Sequence, residues 1–182
     1  MTDNTLLAIE NVSIALPKGA DRPFAIDGVS FNVNRNEIVC LVGESGSGKS
    51  MTAHAILRLL PDEVRIAQGA VKFNGSDIAT ASEAEMRHLR GGEISMIFQE
   101  PLSALNPLTR VGQQIAESII THTKPVPSSE AVDARVQELI AAVGLPDPVA
   151  LARSYPFQLS GGQRQRIMIA MAMAAGELER IG

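Results

Sequence analysis

The run Gly43-Glu44-Ser45-Gly46-Ser47-Gly48-Lys49-Ser50 joins three glycines to a lysine and a hydroxyl. These residue types at this spacing suit one task, the holding of phosphate. Glycines let the backbone turn so that successive N–H groups converge on anionic oxygens. An ammonium on a flexible stem reaches the outer phosphates, and a hydroxyl at the next position can ligate Mg²⁺. A helix opening here adds the positive end of its dipole to the same anion. From average residue usage, G-x-x-x-x-G-K-[ST] arises by chance in roughly one chain of this size per hundred. Its setting after an apolar run and before an apolar helix lowers that further.

A second glycine-rich helix start lies near the other end, in Ser154-Tyr155-Pro156-Phe157-Gln158-Leu159-Ser160-Gly161-Gly162-Gln163-Arg164-Gln165-Arg166. Ser160 reads as an N-cap, and Gly161-Gly162 leave backbone N–H groups accessible. This is a second place where one chain can meet an anion. The helix behind it, Ile167 to Ala175, is apolar on all sides and is expected to be buried.

The elements that must position these motifs follow from periodicity. Leu6 to Ile14 reads as a strand, broken at Pro17-Lys18-Gly19, and Val29–Val33 alternates as a half-buried antiparallel strand does. Ile38 to Val42 and Ile94 to Phe98 are continuous apolar runs, expected as buried parallel strands. Cys40, the single cysteine, is expected as a small core residue. Ile56, Leu57, Leu59 and Leu60 fall on a helix that Pro61 stops. Val71–Phe73 with Asn74-Gly75 predicts a strand and tight turn. Ser82 with Glu85 predicts a capping box on a short helix ending at Gly91-Gly92. Further on, Val111, Ile115, Ile119 and Ile120 share a helical face. So do Val132, Val136, Leu139, Ile140 and Val143, with Gly144 as the C-cap and Lys124–Ser128 as the linker between the two helices.

Composition narrows the class. With 182 residues, 45% hydrophobic and 20% charged, the chain can build a domain core. A net charge of −4 argues against a nucleic-acid partner. No apolar run reaches the ~18 residues of a membrane span, and Met1-Thr2-Asp3-Asn4 has no basic leader. A cytoplasmic protein is expected, with any membrane link made through a partner.

Together these residues resemble the ABC ATPases. Gly43–Ser50 matches the family's Walker A loop, Leu159–Gln163 its signature motif, and Gln99, after Ile94–Phe98, its Q-loop glutamine. The stretches Val42–Ser50, Ile94–Pro107 and Tyr155–Gln158 are similar to the importers of oligopeptides, dipeptides, nickel and glutathione, although Phe157 stands where that group commonly has His. The resemblance implies an α/β P-loop NTPase fold with an N-terminal antiparallel β part and a helical subdomain. It implies one incomplete nucleotide-binding domain over 1–182, divided into a β-rich core (1–101), a helical subdomain (102–158), and the signature helix and tail (159–182). It assigns ATP to Gly43, Glu44, Ser45, Gly46, Ser47, Gly48, Lys49, Ser50 and Met51, and Mg²⁺ to Ser50 and Gln99. Gln99 also takes the catalytic role of contacting the attacking water. Ser160, Gly161, Gly162 and Gln163 would meet the nucleotide of a second ABC ATPase subunit, the same or different. The resemblance further implies membrane permease subunits as partners and a peripheral location on the cytoplasmic face of the cell membrane.

Three departures from the family pattern bear on activity. Leu16 is aliphatic where many members stack an aromatic on adenine, with Phe24 as a possible substitute. No Walker B strand, D-loop or switch histidine follows the signature helix within the 182 residues, so these residues are expected to bind ATP and to hydrolyse it poorly. Glu177 and Glu179 follow no apolar strand and are read as solvated charges, and His54, His88 and His122 match no switch motif. Open strand edges and exposed apolar surface are expected when the chain stands alone. Two other readings stay open: an ABC ATPase outside transport, and the remnant of a frameshifted gene.

Overall fold

A computed structural model of the chain describes residues 4–99 and 104–176. It divides into two compact units, Met1–Met86 and Arg87–Gly182.

The first unit is built on a four-stranded antiparallel sheet in the order β2-β1-β3-β4. β1 (Thr5–Ala15) and β2 (Phe24–Asn34) form a long hairpin, and β3 (Arg65–Phe73) joins the other edge of β1 before turning into β4 (Ser76–Asp77). Ile9 faces Phe31 on one side and Val71 on the other, while Ile14 faces Ile26 and Ile66. Ile9, Val12, Ile14 and Val71 are each at most 2% exposed, so this cross-strand ladder is the unit's core. The register slips between Ile9 and Val12, where Asn11 has φ 50°. This bulge turns Ser13 inward, and its hydroxyl donates to Asp27 Oδ1 and accepts from Gly28 N, both at 2.9 Å.

α1 (Lys49–Ile56) is shorter than its apolar pattern suggests. Leu57 caps it, and Arg58 turns left-handed at φ 51°. The helix is closed there by Arg58 N donating to Ala55 O (3.1 Å) and Leu59 N to His54 O (2.8 Å), which take up its last carbonyls well before Pro61. The Ser82 capping box is present. Glu85 accepts from Ser82 N at 2.6 Å and from Ser82 Oγ at 2.7 Å at the start of α2 (Glu83–Gly92).

In the second unit α3 (Val111–His122), α4 (Ser129–Ala142) and α6 (Gly161–Gly176) surround one core, with α5 (Pro148–Arg153) and a 3₁₀ turn (Pro156–Gln158) between the last two. Val111, Ile115, Leu139, Ile140 and Ile167 are essentially inaccessible. Ser128 caps α4 by accepting from Ala131 N at 3.3 Å, and Gly144 follows its end at φ 69°. Two helical readings are corrected. Ile120 is 43% exposed, since a step of about 100° from inward-facing Ile119 carries it off the buried face. α6 buries Ile167, Met168, Ala170 and Ala174, whereas Ile169, Met171, Ala172 and Met173 are half-buried. Its described neighbours cover one face rather than all sides.

The two expected parallel strands are also corrected. Ile38–Val42 and Ile94–Phe98 pair with no described strand, apart from a single bridge from Ile94 to Arg90. Ile38 is 92% and Val42 90% exposed, and Cys40 is exposed rather than in a core. A strand exists by hydrogen bonding to a neighbour, and the described residues provide none here. The expected exposure of apolar surface is thus seen at these segments. Glu177 and Glu179 lie outside the described residues, and no described helix is long and apolar enough to cross a membrane.

Ile140→Ala should destabilise the chain by about 2–5 kcal/mol, whereas Leu108→Ala, at an 85% exposed position, should stay within ~0.5 kcal/mol; urea unfolding of both variants checks this. The bonds from Ser82 hold the Glu85 carboxyl below its ordinary pKa. Its stabilising effect is therefore complete above the unfolded carboxyl's pKa and fades as pH falls through the lower folded value. Glu85→Gln should flatten that part of the acid limb in a pH series of melting temperatures.

Candidate phosphate-binding site

The loop between Ile38–Val42 and α1 is shaped by its glycines and closed by its lysine. Gly46 and Gly48 have φ of 80° and 92°, in the left-handed region. Gly48 has a second reason to lack a side chain: a Cβ there would strike Ile26 Cγ2 and lie 2.9 Å from the Ala25 carbonyl oxygen. The glycine therefore lets the start of α1 sit against β2. Ser47 N donates to Glu44 O at 3.2 Å, which tightens the turn.

Lys49 folds back over this turn. Its Nζ donates to the carbonyls of Gly43 (2.8 Å) and Glu44 (2.6 Å) and to Ser47 Oγ (3.2 Å). An ammonium held at three oxygens of its own loop is positioned beside any anion the loop receives, and oxygen ligands are what it already prefers. At the N-terminus of α1, Gly48 offers no side-chain cap. The first-turn amides therefore have no side-chain acceptor, as an anion-binding helix start requires. Thr52, 4% exposed, anchors the turn by donating from N (2.8 Å) and Oγ1 (3.0 Å) to Gly48 O. Ser45 and Ser50 are exposed, and Met51 is half-buried. The donor set of amides, one ammonium and hydroxyls fits a polyphosphate.

Arg22 is a residue the sequence reading passed over. From the β1–β2 loop its Nη2 donates to Gly46 O at 2.9 Å, placing a guanidinium on the phosphate loop across 24 residues of chain. No local pattern marks it. Leu16 and Phe24, the candidates for contact with adenine, are half-buried, with Leu16 N donating to Pro23 O at 2.9 Å.

The other motif residues belong to the second unit. Ser160 and Gln163 form a reciprocal cap: Ser160 Oγ accepts from Gln163 N (3.3 Å), and Gln163 Oε1 accepts from Ser160 N (2.9 Å). The Ser160 hydroxyl keeps its proton available to donate. Gly161 and Gly162 are exposed, with open space where their Cβ atoms would be. Arg164 Nε and Arg166 Nη1 tie the helix start back, the first to Leu159 O (2.9 Å), the second to Val143 O (3.1 Å) and Gly144 O (2.9 Å). Just ahead, the rings of Tyr155 and Phe157 stack at 5.5 Å with Arg110 over Tyr155. Gln99 is exposed at the end of Ile94–Phe98, and Glu100–Ser103, part of the importer-like stretch, lie outside the described residues.

An antiparallel sheet feeding a glycine-lysine loop, followed by helices that present a glycine-rich capped start, defines an α/β nucleotide-binding cassette. The chain belongs to the ABC transporter family, whose model matches residues 26–177. It is 45% identical over 170 residues to a peptidoglycan transport ATP-binding protein, YejF, of Agrobacterium fabrum, covering 93% of this chain and 31% of the relative. It is 43% identical over 171 residues to the oligopeptide transport ATP-binding protein OppD of Bacillus subtilis, with 93% and 47% covered. Against the probable D,D-dipeptide transport ATP-binding protein DdpD of Escherichia coli the identity is 43%, with 93% and 51% covered. The chain thus spans about a third to a half of the length of these relatives. Among solved structures, the ATP-binding cassette MJ0796, a dimer in a post-hydrolysis state bound to ADP and Pi, superposes with a TM-score of 0.81 at 27% identity, covering 93% of this chain and 70% of that one. The α/β cassette fold expected from the motifs is therefore the fold observed.

Gly48→Ala should cost about 1–3 kcal/mol from its left-handed backbone alone, and more where its Cβ meets Ile26. Chemical denaturation with backbone amide spectra should show the loss together with shifted Gly46–Ser50 resonances; an unchanged midpoint would contradict the packing described.

Proposed function

We propose that residues 1–182 are the nucleotide-binding part of an ATP-binding subunit of an importer for peptides or peptide-like solutes such as glutathione. One observation carries this reading: the Lys49 ammonium rests on three oxygens of the Gly43–Ser47 turn, beside an α1 N-terminus with no side-chain cap. The substrate class is supported by the names of the relatives, which transport oligopeptides, dipeptides and glutathione.

On this reading Gly43–Met51 hold ATP. The amides of the turn and of α1 take phosphate oxygens, and Lys49 trades its contacts with the Gly43 and Glu44 carbonyls for contacts with the outer phosphates. Ser50 and Gln99 hold Mg²⁺, which when bound neutralises phosphate charge. Arg22 keeps the turn in shape through Gly46 and adds positive potential. Ser160, Gly161, Gly162 and Gln163 serve a second nucleotide, bound by a partner ABC ATPase subunit, either a copy or a homologue. The dimeric state of the neighbour MJ0796 supports this arrangement. The 102–158 segment meets membrane permease subunits, which places the chain peripherally on the cytoplasmic face of the membrane. The whole of 1–182 works as one cassette in the three parts described. We place the general base for hydrolysis outside these residues, so the 182-residue chain binds MgATP and turns it over slowly.

Binding of a fluorescent ATP analogue tests the reading. Lys49→Ala removes a charged contact worth about 1.5–3 kcal/mol, so affinity should fall about 10- to 100-fold. Equal affinity in the variant would refute it. Vigorous ATP turnover by the 182-residue chain, abolished by Lys49→Ala, would refute the placement of the base.

A further inference from the structure

Apart from the phosphate loop, the second unit contains a cavity of about 860 Å³ where the end of α2 meets the end of α3 and the linker after it. Arg87 and His88 line one wall, and His122 and Lys124 the other. The break in α2 builds this shape. Arg90 leaves the helical region (ψ 119°) and Gly91 turns left-handed (φ 85°). A Cβ on Gly91 would lie 2.5 Å from His122 Nε2, so the glycine is what allows the imidazole to close against the chain.

The formal charges among the lining residues, Arg87 and Lys124, are of one sign. His88 Nε2 is 4.0 Å from Glu93 Oε1, a contact at the limit of an ion pair. The Arg87 and Lys124 side chains form no hydrogen bond or ion pair with any described residue. Arg87 and Lys124 have no carboxylate beside them among the lining residues, and two such cations at one concavity focus a positive potential into it. An anion neutralises that potential. A guanidinium, an ammonium and imidazole N–H groups lining one cavity suit a phosphate, which accepts several charge-assisted hydrogen bonds at once.

We propose that this cavity binds a phosphate-bearing anion, through Arg87 and Lys124 with His88 and His122 as further donors. The phosphate can arrive free in solution or as a lipid headgroup at a membrane surface, and two measurements separate these sources. The site is independent of the nucleotide reading, because it shares no residue with Gly43–Ser50.

The test uses the 182-residue chain carrying Lys49→Ala, so that the phosphate loop does not report. Pyrophosphate is titrated calorimetrically, and flotation is measured with phosphatidylglycerol against phosphatidylcholine vesicles. Saturable binding is expected in at least one arm, and that arm identifies the source. Arg87→Gln with Lys124→Gln should weaken it about tenfold or more, the loss expected for charged contacts. Lys124→Arg should retain it. Circular dichroism verifies that the variants fold. Binding in neither arm would overturn the proposal, as would binding unchanged in the double variant. So would an equal loss in Lys18→Gln with Arg65→Gln, two exposed cations of the first unit, since net charge alone would then account for the effect.

Discussion

The contact of Lys49 with its own loop is the interaction on which the rest of this structure turns. An ammonium reaching carbonyls at 2.8 and 2.6 Å requires a backbone that curls beneath it. That curl requires left-handed backbone at Gly46 and Gly48, and Gly48 must also pass close to β2. The sheet therefore has a role beyond its own core. By holding Ile26 opposite Ile14 and Phe24 opposite Ala15, on either side of Ala25, it provides the surface on which the phosphate loop is set.

The second unit solves a related problem with different chemistry. Its glycine-rich helix start is held by a reciprocal Ser160–Gln163 cap and by arginines that reach the preceding backbone. α6 is fixed from behind by Ile167 and Ala170 in the helical core. Both candidate anion sites thus combine glycine amides with buried apolar residues packed behind them, Ile26 in one and Ile167 with Ala170 in the other. Mobility at such a site would cost affinity, since ordering a loop on binding consumes free energy.

What could be read in advance follows the range of the interactions. The capping pairs Ser82–Glu85 and Ser160–Gln163 lie within one helical turn, so residue types at fixed spacing reveal them. The faces of α3 and α4 were legible because burial repeats with the helical period, and Ile120 shows the limit, lying one step off that face. Contacts far along the chain left no such trace. Arg22 on Gly46 and Arg166 on Gly144 depend on how loops come together. Ile38–Val42 failed for another reason. Its composition suits a strand covered on both sides, but composition specifies a preference and a neighbouring strand must satisfy it.

Backbone amide spectra of the 182-residue chain during a MgATP titration test the central claim most directly. The account predicts that the largest shifts appear at Gly43–Met51, with Gly46, Gly48 and Lys49 foremost, as the lysine leaves its own carbonyls for phosphate. Shifts that spare this loop and gather elsewhere, or no shifts at saturating nucleotide, would contradict it.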